Sequence, residues 1–186
     1  MSKGKFLKNI PNILTLLNIS LGLCAVILLI QVDHPHKTII APLLIILGGF
    51  ADFFDGFLAR RLKSVSLMGK QLDSFADIIT FGVAPILLLN YITSCEPPIF
   101  VIMASLLYIM AGAYRLARFN LADFSNHFAG LPIPVAGIAL AIYSILYPFW
   151  SEHVFGNRNT IVTTAFVLVL AAMMVSKKKI KRPKLH

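Results

Sequence analysis

"DFFDGFLARRLKSVSLMGKQLDSFAD", residues 52–77, sets four aspartates at the ends of two apolar runs, in a chain with only eight acidic residues. Asp52, Asp55, Gly56 and Ala59 stand at i, i+3, i+4 and i+7 and so share one helical face. Gly69, Asp73 and Asp77 are spaced by four and share another. The basic, polar centre of the stretch reads as a turn between two helices. As antiparallel neighbours, those helices bring two pairs of carboxylates together at one end, with a small-residue groove at Gly56 and Ala59.

Outward from this hairpin, the chain is 186 residues long, 58% hydrophobic and 13% charged, with a mean hydropathy of +0.80. Soluble domains are nearer half apolar and a quarter charged. Six apolar segments are legible, Asn12–Val32, Ile39–Ala59, Leu72–Tyr91, Pro98–Ala117, Leu131–Trp150 and Thr160–Val175. The expected fold is all-α, a polytopic membrane protein of six transmembrane helices with residues 1–186 as one domain. Alternate threading puts 15 of the 17 Lys and Arg residues on one side, with only Lys37 and Arg158 opposite. The positive-inside rule then makes the N- and C-termini cytoplasmic, together with the carboxylate end of the hairpin. Ahead of the first span, "SKGKFLKNIPN" reads either as a short interfacial helix stopping at Pro11 or as a basic flank that only sets topology. The tail "KKKIKRPK" is a topology signal first and an anionic-lipid contact second.

Other classes find little support. The net charge of +9 lies beside and between apolar runs rather than in an aromatic-interleaved basic domain, which argues against nucleic acid. Cys24 and Cys95 are too few for a disulfide framework and form no CxxC pair. The first apolar run is long and no small-residue cleavage site follows it, so it reads as a retained helix rather than a signal peptide. His34, His36, His153 and His186 read as solvated, and His127 has no partner at ligand spacing.

An aspartate inside a membrane helix costs about 2.5–3.5 kcal/mol on insertion scales. Four together also repel one another, so the cluster calls for cations or protons. All-oxygen ligands suit Mg²⁺, Mn²⁺ or Ca²⁺ better than zinc. Two such ions about 3.5–4 Å apart would clamp both oxygens of a displacement at phosphorus. The bland alternative pairs the aspartates with Arg60, Arg61, Lys63 and Lys70. A small cation transporter is the non-enzymatic alternative, but it predicts midplane carboxylates and mirrored half-repeats, and neither is seen.

The pattern Asp52-x-x-Asp55-Gly56-x-x-Ala59-Arg60, eight residues, Gly69-x-x-x-Asp73-x-x-x-Asp77 resembles the signature of the CDP-alcohol phosphotransferases at every fixed position. The resemblance implies a six-helix membrane transferase of phospholipid biosynthesis, commonly a homodimer, with two divalent metals, Mg²⁺ or Mn²⁺. Such enzymes move a phosphatidyl or related group from a CDP-linked donor to an alcohol and release CMP. Carried over, Asp52, Asp55, Asp73 and Asp77 are the metal ligands, and Asp77 is also the general base. Gly56, Ala59, Arg60 and Gly69 match the nucleotide and diphosphate pocket. Ser66 matches a further polar contact to the nucleotide, though a cap or solvated flank is the duller reading. "PNILT" resembles a family pattern that brings Asn12 and Thr15 to the cytidine. "LDSFADIITFGVAP" (residues 72–85), "YRLARFN" (114–120) and "GLPIPVAG" (130–137) are similar to the phosphatidylserine synthase branch. That branch implies CDP-diacylglycerol and L-serine as substrates; glycerol-3-phosphate or an inositol compound is the alternative acceptor. Arg115 and Arg118 lie three apart on one face at the end of the fourth span, suited to a carboxylate or to the donor's phosphates. Asn120 adds an amide, and plain anchoring of a helix end is the bland reading.

Overall fold

The structure, a computed structural model, describes residues 3–62, 64–93, 98–121, 128–150, 159–176 and 179–180. Lys63, Cys95, His127, His153, Arg158, His186 and most of the basic tail lie outside the described residues. Six helices are found among the described residues: α1 (Lys3–Gln31), α2 (Lys37–Arg61), α3 (Leu67–Thr93), α4 (Ile99–Leu121), α5 (Ile133–Trp150) and α6 (Asn159–Val175). A two-stranded antiparallel pair joins Phe128–Ala129 to Lys179–Ile180.

Four helices, α1 from Asn9 onward, α2, α3 and α4, are long and apolar enough to cross a bilayer. The apolar stretches of α5 and α6, Ile133–Phe149 and Thr160–Val175, are shorter. The all-helical fold is as expected, and by length alone four of the six expected spans qualify.

The polarity of the helices is that of segments immersed in lipid. Along α1 the buried face reads Thr15, Asn18, Gly22, Ala25, Leu29, polar and small, whereas Ile13, Leu16, Leu17, Ile27 and Ile30 are exposed. Helices in hydrocarbon gain little from hiding leucine, so they turn small and polar residues toward one another. The buried face of α2, Ala41, Pro42, Ile45, Gly48, Ala51 and Asp55, repeats the pattern. At their crossing, Cβ atoms added to Gly22 and Gly48 would strike Thr80 of α3, so three backbones meet there with no side chain between two of them. Thr80 Oγ1 fastens the crossing by donating to the Asn18 carbonyl at 3.0 Å. α1 packs most extensively on α2 and α3, α4 on α6, and α5 on α2 and α3.

Two features correct the sequence reading. Pro11 does not end an interfacial helix, because α1 runs unbroken through it. Proline's fixed φ is already helical and only one backbone bond is forfeited, a loss tolerated in membrane helices. One turn on, Thr15 Oγ1 lies 3.0 Å from the Pro11 carbonyl. In α3 the turns after Asp77 widen into a π-helical segment, Ile78–Val83. Pro85 has no N–H for the Phe81 carbonyl four residues earlier, and Tyr108 OH of α4 donates to that carbonyl at 3.0 Å instead.

Candidate active site

α2 ends with Arg60 and Arg61 in its last turn, and Ser66 starts α3, its Oγ accepting from the Gly69 N–H at 3.0 Å. This cap and the short connection turn the chain back on itself, so the last turns of α2 face the first turns of α3. Carboxylate oxygens of Asp52, Asp55 and Asp73 consequently lie within 4.8 Å of one another. Asp77, one turn further along α3, lines the same cleft of about 650 Å³. The convergence expected from helical spacing is present.

Asp55 and Asp77 are buried. Asp55 Oδ2 accepts from Thr15 Oγ1 of α1 at 2.7 Å. Asp73 Oδ1 and Asp77 Oδ1 are buried with no hydrogen-bond partner. Among the described residues, Lys70 does not fill the role that the bland reading gave it, and Arg60 does so only as a nearby charge on Asp55. Lys70 Nζ donates to the Asn120 carbonyl at 2.9 Å and sits over the Phe119 ring, 5.5 Å from its centroid. Arg60 lines the cleft with its guanidinium beside Gly56, 4.0 Å from where a Cβ would stand. Buried carboxylate oxygens without partners, at mutual distances this short, fit a hard divalent cation: Asp52, Asp55 and Asp73 can hold it, with Asp77 adjoining.

The other expected residues divide. Gly56, Arg60, Arg115 and Asn120 line the cleft with the aspartates. Arg115 is buried with its Nε unpartnered. Asn120 Nδ2 donates to Ser74 Oγ at 2.8 Å, which ties α4 to α3 at the rim. Asn12, Ser66 and Gly69 form a second group beside it, since a Cβ on Gly69 would lie 3.1 Å from both Asn12 Oδ1 and Ser66 Oγ. Ser66 is the cap of the duller reading. Ala59 contributes its carbonyl to the turn, accepting from Ser64 N at 3.0 Å. Thr15 is buried against Asp55, where a contact to cytidine had been expected. Arg118 does not line the cleft with Arg115, because Arg118 Nη1 reaches the Val175 carbonyl of α6 at 3.4 Å. Residues three apart on a helix are offset by about 60° around it, so side chains as long as arginine can still end on different neighbours.

Sequence reasoning missed Ser74, Phe50, Phe53 and Phe119, all in the cleft wall. Ser74 had a signal, as it adjoins Asp73 and lies one turn from Lys70. The phenylalanines had none, since an aromatic in an apolar run reads as lipid-facing.

A sequence profile of the CDP-alcohol phosphatidyltransferase family matches residues 8–177. The chain is 39% identical over 178 residues to the CDP-diacylglycerol–serine O-phosphatidyltransferase of Bacillus subtilis (strain 168), covering 95% of this chain and 92% of that one. It is 31% identical over 169 residues to an archaetidylserine synthase of Methanothermobacter thermautotrophicus, over 89% of this chain and 66% of that one. A CDP-diacylglycerol–serine O-phosphatidyltransferase of Helicobacter pylori (strain 26695) is 30% identical, over 89% of this chain and 69% of that one. With its paired aspartates on adjoining helices and a family match along nearly its whole length, the chain belongs to the CDP-alcohol phosphatidyltransferases, a family of transferase enzymes.

Proposed function

We propose that this protein is a CDP-diacylglycerol–serine O-phosphatidyltransferase, forming phosphatidylserine and CMP in the membrane. The observation that carries the reading is the meeting of Asp52, Asp55, Asp73 and Asp77 in one cleft, with two of their buried oxygens unpartnered. Names of relatives aligned over nearly the whole chain support serine as the acceptor.

The serine hydroxyl oxygen attacks the β-phosphorus of CDP-diacylglycerol. The bond from that phosphorus to the bridging oxygen breaks, and CMP leaves with the electron pair. Two Mg²⁺ or Mn²⁺ ions shared among the four aspartates would supply neutralisation of the diphosphate and of the departing phosphate. Asp77 takes the hydroxyl proton; its buried position in the cleft wall keeps that proton from bulk water. Arg115 offers its planar fork to the serine carboxylate, and Asn120 with Ser74 orients the same end of the acceptor. Arg60 and the open side of Gly56 receive the donor's diphosphate, with Asn12, Gly69 and the Ser66 turn toward the nucleotide. Phe50, Phe53, Val135 and Ile138 extend the cleft along α2 and α5, an apolar path for the acyl chains.

In this reading the chain is a single domain of six spans with both termini and the cleft at the cytoplasmic face, and it works as a homodimer. Helices of 18 and 17 residues, as α5 and α6 are, reach about 26–27 Å at 1.5 Å per residue. That is little short of the roughly 30 Å hydrocarbon core. The bias of lysine and arginine toward one face supports the orientation.

The test is CMP release from CDP-diacylglycerol with serine, glycerol-3-phosphate or inositol as acceptor, with and without Mn²⁺ or Mg²⁺. Serine-dependent release that chelation abolishes is expected. Release driven by glycerol-3-phosphate or inositol instead would reassign the acceptor, and release indifferent to chelation would remove the metal role.

A further inference from the structure

Asn18 of α1 is fully buried, and neither its Oδ1 nor its Nδ2 has a hydrogen-bond partner. An unpaired buried amide is destabilising, and the surroundings of this one are defined on both sides. One turn earlier on α1, Thr15 Oγ1 donates to Asp55 of α2. On the other side, a Cβ on Gly48 of α2 would lie 3.0 Å from Asn18 Oδ1. Gly48 and Asp52 are four apart and share a face of α2, so the amide that abuts Gly48 is one helical turn along that face from the first aspartate. Because α1 and α2 run antiparallel, three residues forward from Thr15 to Asn18 match three residues back from Asp55 to Asp52. The next buried residues on this face of α1, Gly22 and Ala25, have no polar side chain. Within one turn of Thr15 on this buried face, Asn18 is the polar group that α1 offers to Asp52.

We propose that Asn18 is a positioning residue of the divalent-metal site: its carboxamide N–H group, unpartnered in the structure, takes up the Asp52 carboxylate when that side chain turns to bind metal, the role that Thr15 Oγ1 already fills for Asp55. The inference rests on the metal reading of the cleft given above. Carboxylates that ligate metals are held by hydrogen bonds from behind, and removing such a partner typically weakens metal binding 10–100-fold. An ionised carboxylate only accepts, and the carboxamide brings two N–H donors. Thr80, which bonds the Asn18 backbone carbonyl rather than its side chain, holds the helix crossing and leaves the amide free for this task.

Manganese binding to the full-length, chelator-stripped protein in detergent, followed by the EPR signal of the free ion, tests the assignment without turnover. Asn18→Leu, of similar volume, should bind Mn²⁺ about tenfold more weakly. Its melting temperature in chelator should be no lower than that of the unmodified protein, because an unpaired amide has been removed. Thr80→Val, which deletes the neighbouring hydrogen bond but not the amide, should keep the unmodified affinity. If Asn18→Leu does not fold, Asn18→Ser, whose hydroxyl is too short to replace the amide, should show the same tenfold loss. Affinity within about twofold of the unmodified protein in the folded Asn18 variant overturns the proposal. So does an equal loss in Thr80→Val, which would make the effect one of helix packing. An unmodified protein that binds no manganese overturns the metal reading as well, so the two failures are distinguishable.

Discussion

Away from the carboxylates, Tyr143 OH of α5 and Thr163 Oγ1 of α6 lie 2.8 Å apart, and Ser105, Ser144, Thr93 and Thr164 each donate to the carbonyl four residues earlier. At the carboxylate end, Asp73 Oδ1, Asp77 Oδ1, Arg115 Nε and both polar atoms of Asn18 are buried without partners. The contrast is one of design under the same solvent constraint. A hydroxyl that bonds back to its own helix is satisfied wherever the helix goes, so it costs little in hydrocarbon. A carboxylate has no such local remedy, and a cluster of them is tolerable only if something outside the chain completes it. With Asn90 Oδ1 as its unpartnered exception, one region spends its polar groups on holding itself together, and the other keeps several for a ligand.

Asp73→Asn breaks the contrast most severely. It keeps the side chain's shape but removes a negative charge from the centre of the cluster. Turnover should fall by about 10³-fold, on the scale of losing a preorganised electrostatic group, while the melting temperature in chelator stays level or rises. A loss of turnover matched by unfolding would place the residue with the structural half of the molecule. Gly137→Ala attacks from the opposite side. Its Cβ would lie 2.7 Å from the Phe81 Cα, forcing α5 away from α3. Overpacking of this kind costs about 1–3 kcal/mol. Denaturation in detergent should show that loss, together with a raised KM for the lipid donor, because α5 carries Val135 and Ile138 of the cleft wall.

The half that holds itself together was the less legible in sequence. Six apolar runs announced six helices, and the segment read as Ile39–Ala59 emerges as Lys37–Arg61 because apolar length and charge mark a membrane helix at once. The aspartate spacing was legible for a related reason: period four states which residues share a face. What periodicity does not state is which neighbour that face meets. Thr15 was therefore read toward the cytidine without Asp55 as its neighbour, and Arg118 toward the acceptor without its reach to α6. The π-helical segment arises from a proline on α3 and a tyrosine on α4, 23 residues apart in sequence, and no local pattern joins them.

Tyr108→Phe isolates that last pairing and sharpens the comparison. The ring stays and only the hydroxyl that serves the Phe81 carbonyl is lost, in a fully buried position. A cost of about 1 kcal/mol is expected, with manganese affinity unchanged. A large loss of affinity would mean that the widened turn after Asp77 sets the carboxylate geometry, and the two regions would no longer be separable.

Lys37→Gln should have the smallest effect and bounds the comparison from below. Lys37 Nζ lies 4.4 Å from the Tyr91 ring centroid and 3.4 Å from the Val32 carbonyl, at the end of α2 opposite the aspartates. A cation over an exposed ring contributes about 0.5–1 kcal/mol, and glutamine keeps a donor for the carbonyl, so the melting temperature should fall by no more than about 4 °C. Turnover with serine should not change. In the proposed orientation this lysine is one of the few cations on its side, so its neutralisation would strengthen rather than oppose the charge bias. A fall in activity at constant stability would therefore trace neither to topology nor to the ring contact. It would mean that the far end of the bundle is coupled to the cleft through α2, the helix they share.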